Sequence, residues 1–308
     1  MTENILTVFW QVLILFLLMA FGFAGGKAKF INENGSKVMT NILLYFVTPC
    51  VIINSFNIEY DPSRLKGLLV SLLACFLIHA LSAAVVTLIF RGKDIKRNRV
   101  LRFACVFSNA GYMGIPLQQA VLGEEGVFYG SVYIAVFNIT LWTYGVICST
   151  DNVKEISGKK LLMNPGIIGV VLGVLLFVSP IQLPSALSSV VSSMAAINTP
   201  VAMMVIGFYL AQSNLLAAFR DKMVYVVSVI RLIVFPLAAL GLMYICGVHD
   251  VILVSMITAA SAPVAAATSM FATRFDNDIP LSVNLVTFST VLSIVTMPLI
   301  VALAQYLA

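Results

Sequence analysis

Ten long apolar stretches follow one another along this sequence, separated by short polar connections. A helix needs about 20 consecutive apolar residues to cross the hydrocarbon core of a bilayer. The stretches, numbered spans 1 to 10, are 5–24, 37–56, 65–90, 100–123, 126–148, 165–179, 185–212, 222–246, 251–273 and 280–307. Because they are continuous rather than alternating in polarity, they predict an all-α integral membrane protein with ten transmembrane helices and exclude a β-barrel.

Composition excludes several classes of function. Of 308 residues, 60% are hydrophobic and 10% are charged, against about 25% charged in a soluble domain. This excludes a cytosolic enzyme, a nucleic-acid binder and a disordered chain. The five cysteines lie in or beside apolar stretches without metal-ligand spacing. Since no nucleophile–base pair or phosphate loop is present either, we expect no catalysis, metal or cofactor.

The basic residues predict the orientation in the membrane. Fifteen of the 18 lysines and arginines fall in the loops that follow spans 1, 3, 5, 7 and 9. The opposite side has only Arg64 and Lys66, and Arg231 lies inside span 8. Basic loops stay in the cytoplasm, so both termini are predicted outside a multi-pass protein of the cytoplasmic membrane. No basic residue precedes span 1, which predicts a retained span rather than a cleaved signal.

The two halves of the chain repeat each other weakly. Thr48-Pro49 recurs as Thr199-Pro200 at an offset of 151, and Glu124 matches Asp276 at 152. Five spans in each half place the second half upside down relative to the first. The pattern predicts two inverted repeats, 1–150 and 151–308, which is a transporter architecture.

Helix-breaking residues lie near the middle of four spans. They are Pro49 in span 2, Asn109 to Pro116 in span 4, Pro200 in span 7 and Ala260 to Pro263 in span 9. Unwound backbone survives in a membrane only where it is buried in protein or lines a cavity. Such breaks at matching places in inverted repeats indicate a binding site. A half-helix beginning near Gly114 would direct its amides at the midplane and favour an anion.

Three segments of the sequence carry a resemblance to a known family. The stretch from Ser108 to Leu117 resembles the crossover motif of the auxin efflux carrier family, which includes plant PIN proteins and bacterial organic-acid permeases. The segment from Asn138 to Gly145 is similar to a second family motif, and Thr48-Pro49 fits as well. The short loop 151–164 resembles the bacterial members.

The resemblance implies a specific architecture and mechanism. Broken helices 4 and 9 would cross each other. Spans 1, 2, 6 and 7 would form a scaffold, and spans 3–5 and 8–10 a mobile transport domain that moves like an elevator. The family also suggests a homodimer formed through the scaffold domain.

The candidate substrate-binding residues come from both halves. They are Asn109, Gly111, Tyr112, Gly114 and Pro116 in span 4, Ala262 and Pro263 in span 9, Arg231 in span 8, and Asn41, Pro49, Asn198 and Pro200 in spans 2 and 7. The family motif places Asn109 at the substrate. An intramembrane arginine indicates function by default: Arg231 is either the counter-charge of an organic anion or a donor to carbonyls of a broken helix.

The polar residues in the spans do not identify the ion to which transport is coupled. His79 in span 3 is a candidate proton carrier, because its unperturbed pKa is near neutral, or it is a structural residue. No aspartate or glutamate lies centrally in any span. We therefore expect a secondary carrier of small organic anions such as malate or auxin-like acids, with coupling to Na⁺ or H⁺ unresolved. The alternatives are a sodium- or proton-coupled symporter or antiporter of bile-acid-symporter-like fold, and a channel or scaffold without carrier activity.

Overall fold

A computed structural model describes residues 2–179, 182–212 and 218–308, and within these ranges the chain is helical without a β-strand. The α-helices are α1 Thr2–Lys27, α2 Glu33–Ile42, α3 Thr48–Phe56, α4 Pro62–Ile89, α5 Ile95–Val106, α6 Ile115–Thr140, α7 Val146–Thr150, α8 Gly158–Leu162, α9 Pro165–Val178, α10 Ser185–Ala196, α11 Asn198–Gln212, α12 Lys222–Val229, α13 Phe235–Ile245, α14 Asp250–Ser261, α15 Ala267–Arg274 and α16 Ile279–Leu307. Inside α6, Gly123 has a φ of 67°, so a glycine makes the turn between spans 4 and 5.

The apolar character of the helices matches a membrane protein. Within the described ranges, seven helices are long and apolar enough to cross a bilayer, and Pro165–Val178 and Asp250–Ser261 are shorter apolar helices. Large apolar side chains stay exposed along these helices, among them Phe21, Phe46, Leu73, Leu88 and Leu175. A soluble protein rarely exposes so much apolar surface to water. The predicted all-helical membrane class is confirmed, while the number of ten spans and their inverted repeat stay predictions.

Prolines shape the helices through π-helical turns. Three of the four π-helical segments in the described residues end two residues before a proline: Leu43–Val47 before Pro49, Ala110–Gly114 before Pro116 and Ile230–Val234 before Pro236. In each, the residue before the proline donates its N–H to the carbonyl five residues earlier, as Thr48 does to Leu43. The wider turn accommodates a proline ring that would clash in a regular α-helical turn.

Two of the four expected breaks differ from the sequence prediction. At Pro49 there is no unwound segment, because the π-helical turn runs directly into α3 with Pro49 in its first turn. Span 7 is interrupted at Ile197, with φ −79° and ψ −7°, three residues before Pro200. Pro200 instead lies in the first turn of α11, where a proline costs no hydrogen bond.

Helices α1 and α11 pack backbone against backbone. A Cβ atom added to Gly22 would lie 2.0 Å from the Met204 carbonyl oxygen, and one added to Gly207 would lie 2.0 Å from that of Met19. Small residues permit such close approach between membrane helices. Because lipid is as apolar as the side chains, the helices associate through this van der Waals packing rather than through the hydrophobic effect. Helix α9 uses Gly169 and Gly173 in the same way against α3.

Gly22→Ala is expected to destabilise the folded protein by roughly 1–3 kcal/mol, because the new methyl group meets backbone that cannot move aside. Thermal denaturation in detergent measures the effect. Gly241→Ala in α13 is the matched control, since a Cβ there meets nothing within 4 Å. An unchanged melting temperature for Gly22→Ala would contradict the close packing of α1 and α11.

Ion pairs fasten the beginning of α5 to three other parts of the chain. Arg97 contacts Asp221 at 2.6 Å, Arg99 contacts Asp151 at 2.5 Å, and Lys96 contacts Asp276 at 2.5 Å. The Lys96 ammonium donates a hydrogen bond to the Asp276 carboxylate and lowers its pKa below the ordinary value. Three basic residues at the beginning of α5 are thus paired with acids, and they join α5 to the N-cap residue of α12 and to the loops before α8 and α16.

Candidate functional site

The interruptions of spans 4 and 9 meet each other. The first lies between the end of α5 and the π-helical segment Ala110–Gly114, and the second lies between α14 and α15. Ser108 and Val264 form an isolated antiparallel bridge. The Asn109 N–H donates to the Pro263 carbonyl at 2.7 Å, and the Ala265 N–H donates to the Phe107 carbonyl at 2.9 Å. Each interruption therefore satisfies backbone groups of the other, as buried backbone requires.

The sequence explains why the second part of span 4 starts where it does. The Asn109 carbonyl accepts from the N–H groups of Met113 and Gly114 and opens the π-helical turn. Pro116 lies in the first turn of α6, so it begins a helix rather than breaking one. A Cβ on Gly114 would lie 3.4 Å from the Ala259 Cα, so this glycine allows the turn to pack closely on α14.

The Asn109 side chain is buried and has no bonding partner in the described part of the chain. Its residue is 6% exposed, and no hydrogen bond to its amide is formed within 2–179, 182–212 and 218–308. The first N–H groups of the helical turn, at Ala110, Gly111 and Tyr112, have no carbonyl of their own helix to bond. The amide atoms are not among the fully buried unpaired atoms of the described residues, so the amide faces accessible space where a ligand can reach it. The position thus combines unused donors with the positive end of a helix.

Arg231 binds the carbonyl ends of both interrupted helices. Its guanidinium donates to Cys105 at 3.1 Å and Val106 at 3.3 Å, at the end of α5. It also donates to Ala262 at 3.3 Å and to Ala260, at the end of α14. The side chain is 2% exposed. Each helix C-terminus carries roughly half a negative charge, so the two ends together balance one guanidinium.

The π-helical segment Ile230–Val234, which contains Arg231, precedes Pro236. The proline two residues after this segment explains the widened turn that carries the arginine. The hydrogen bonds of the described residues show Arg231 donating to carbonyls of broken helices, and its role towards a substrate stays a prediction.

A second polar group, formed by Ser108, Tyr133 and His79, lies next to the point where the two interruptions meet. The Tyr133 hydroxyl is 3.2 Å from Ser108 Oγ. The His79 ring lies 5.1 Å from the Tyr133 ring, centroid to centroid. His79 Nδ1 is 2.8 Å from the Cys75 carbonyl, and because a carbonyl only accepts, Nδ1 carries the hydrogen.

The same hydrogen bond leaves His79 Nε2 as an acceptor. This atom is buried and has no partner among the described residues. His79 and Arg231 are 152 residues apart in the sequence.

The remaining predicted residues are placed differently. Gly111 and Tyr112 are half-buried beside Asn109, in the π-helical segment that packs on α11. Asn198 is buried and Pro200 half-buried, both in the first turn of α11. Pro49 packs on α9, where a Cβ atom added to Gly169 would lie only 3.0 Å from the Pro49 Cα.

Asn41 lies apart from these residues, exposed on α2. The structure therefore brings Asn109, Pro263, Ala262 and Arg231 into direct hydrogen-bonded contact and leaves Asn41 outside that group.

Several residues of this site were not predicted from the sequence. Ser108, Tyr133 and Ser289 contribute hydroxyl groups, and Ser289 Oγ accepts from the Val264 N–H at 3.1 Å. Gln118 donates to the Ser255 carbonyl at 2.8 Å and links α6 to α14. Serine and tyrosine are frequent in membrane helices, so only their contacts distinguish them.

A polar contact also joins the two predicted domains. Glu124, just after the Gly123 turn, accepts hydrogen bonds from Asn54 of α3 at 3.2 Å and from Gln119 of α6 at 3.1 Å. Asn54 belongs to a predicted scaffold span, and Glu124 lies in the connection between two predicted transport spans. The contact therefore crosses the boundary along which an elevator would slide.

Comparisons with known proteins identify the family of the chain. The family model for membrane transport proteins matches residues 7–155 and 148–301. An uncharacterized transporter of Methanothermobacter thermautotrophicus is 24% identical over 303 residues, covering 97% of this chain and 96% of the relative. An uncharacterized transporter of Methanocaldococcus jannaschii is 24% identical over 302 residues, covering 94% and 96%.

The chain belongs to the membrane transport protein family, and the resemblance to auxin efflux carriers is confirmed. It is a multi-pass membrane protein, and its family and relatives indicate transport rather than catalysis.

Proposed function

We propose that this protein is a secondary transporter of small organic anions and that it holds its substrate beside Asn109. The observation that carries the proposal is the amide of Asn109, a largely buried residue whose side chain has no hydrogen-bond partner within the described residues. It lies at the N-terminal end of a helical turn, where unpaired N–H groups and the helix dipole favour negative charge. A carboxylate accepts from both the amide and the backbone N–H groups. Malate-like carboxylates and auxin-like acids share this group.

The packing supports a division into scaffold and transport domains. Helix α1 packs on α11, and α3 packs on α9 and α10, which are all predicted scaffold elements. Predicted transport elements are joined by hydrogen bonds between Gln118 and Ser255 and between Ser255 and the Gly126 carbonyl at 2.7 Å. We infer an elevator in which α4–α7 and α12–α16 move together. The proposal includes ten spans in two inverted repeats, both termini outside the cytoplasmic membrane, and a scaffold-mediated homodimer.

The polar residues next to the meeting point of the two interruptions are the candidates for coupling transport to an ion. The carbonyls of Cys105, Val106 and Ala262 already accept from Arg231, and the guanidinium would repel a Na⁺ ion placed beside them. His79 Nε2 is buried and has no partner among the described residues, but burial near Arg231 disfavours a second positive charge there. These contacts favour neither H⁺ nor Na⁺, and the alternative is a sodium-coupled carrier with a different substrate.

Counterflow of labelled malate and indole acetate in proteoliposomes tests the proposal. A carrier is expected to exchange one of these acids, with saturation by unlabelled acid on the opposite side. An imposed proton gradient that accelerates uptake would support coupling through His79, and acceleration by a sodium gradient would support the alternative. Flux that grows linearly with concentration would indicate a channel. Absence of exchange with a broad panel of carboxylates would contradict the proposed substrate class.

A further inference from the structure

A basic recess lies at the connection between α4 and α5, away from the meeting point of the two interruptions. It encloses about 190 Å³ and is lined by Arg91, Asn98, Arg99, Arg102 and Asp151 among others. Three arginines and one aspartate therefore line the recess, which gives it a net charge of two positive units. It belongs to the side of the protein that the distribution of basic residues predicts to be cytoplasmic.

Existing hydrogen bonds hold the arginines in place but leave donors unused. Arg102 donates to the Phe90 carbonyl from Nε at 2.8 Å and from Nη2. Arg99 donates to Asp151 Oδ2 from Nε at 3.0 Å and from Nη2 at 2.5 Å. Arg91 donates only from Nε, to the Thr87 carbonyl at 3.2 Å.

A guanidinium has five N–H groups in a fixed fork. In the described part of the chain, both Nη atoms of Arg91 and the Nη1 atom of Arg102 have no acceptor. These unused donors belong to residues that line one recess, so they fit a ligand with several acceptor oxygens.

We propose that this recess binds one phosphate group, supplied by the headgroup of an anionic phospholipid. A phosphate offers the acceptor oxygens that arginine forks bind best. Leu88 and Ile89, directly before the connection, are 62% and 54% exposed and form apolar surface for acyl chains. Basic recesses between membrane helices on the cytoplasmic side are suited to such headgroups. A free phosphate would use the same donors but would gain nothing from Leu88 and Ile89.

Native mass spectrometry of the full chain in detergent tests the proposal, with phosphatidylglycerol titrated against phosphatidylcholine. We expect one phosphatidylglycerol molecule to bind in preference to phosphatidylcholine. Arg91→Gln is expected to weaken that binding by about tenfold or more, because charge-assisted hydrogen bonds are lost. Lys93→Gln is the matched control, since it removes one positive charge from the same connection outside the recess. Arg91 is exposed, so its substitution leaves the fold intact, which an unchanged melting temperature verifies.

The outcomes separate the two sources of phosphate. Displacement of bound lipid by inorganic phosphate would support the recess and identify free phosphate as a ligand. Resistance to inorganic phosphate would support the lipid headgroup. Equal weakening by Arg91→Gln and Lys93→Gln would show diffuse attraction by surface charge and overturn the site. Equal binding of the two lipids by the unmodified protein would overturn it as well.

Discussion

Asn109→Ala is expected to reduce saturable exchange of the organic anion by roughly ten- to hundredfold, because a charge-assisted hydrogen bond at a buried site is lost. The protein should still fold and insert, since the Asn109 contacts that hold the two interruptions together come from its backbone. Counterflow in proteoliposomes, normalised to inserted protein, measures the effect. Normal exchange by this variant would remove Asn109 from the substrate site.

Two further variants sharpen the test. Asn109→Asp keeps the size of the side chain but places a negative charge beside the bound carboxylate, so it should be at least as inactive as Asn109→Ala. Asn41→Ala makes the same chemical change in a membrane helix, at an exposed position on α2. It is expected to retain exchange. A strong loss from Asn41→Ala with little loss from Asn109→Ala would place the substrate on the α2 surface instead.

Much of the helical framework could be predicted because apolar length is a strong signal. Continuous apolar stretches predicted the long helices α1, α4 and α16 nearly to their ends. The density of Asn, Gly and Pro between 109 and 116 predicted the interruption in span 4. Pro263 did the same for span 9, because a proline lacks the N–H that a helix needs.

The breaks predicted at single prolines were wrong for a physical reason. Pro49 was expected to unwind its helix, but a π-helical turn before it absorbs the clash while keeping the helix continuous. The choice between a break and a π-helical turn depends on tertiary contacts, here the packing of Pro49 on Gly169. Sequence periodicity carries no information about that contact.

The hydrogen-bond partners of the polar side chains also could not be predicted from the sequence. The position of Arg231 inside span 8 predicts either a substrate counter-charge or a carbonyl donor, but it does not identify the acceptors, which include carbonyls of residues 31 and 126 positions away. Carbonyl oxygens exist at every residue, so no pattern of side chains marks which ones a guanidinium will bind. Tyr133 and Ser289 were missed for the same reason.

Arg231→Met is expected to destabilise the protein by at least about 3 kcal/mol, since it leaves buried carbonyls of two helix ends without a donor. Arg231→Lys keeps the charge but has three donors instead of five, so its stability should fall between that of Arg231→Met and the unmodified protein. Thermal denaturation in detergent measures this order. Equal stability of all three proteins would show that the guanidinium does not hold α5 and α14 together.

Transport by Arg231 variants distinguishes a structural clamp from a substrate counter-charge. Because the guanidinium is already directed at Cys105, Val106, Ala260 and Ala262, its loss should impair anionic substrates and uncharged ester analogues by the same factor. A counter-charge would instead make the loss much larger for the anion. Low concentrations of guanidinium ion added to Arg231→Ala are expected to restore part of the stability, because the free ion can occupy the same carbonyls. Restoration by sodium instead of guanidinium would mean that these helix ends form a general cation site, and the sodium-coupled alternative would gain support.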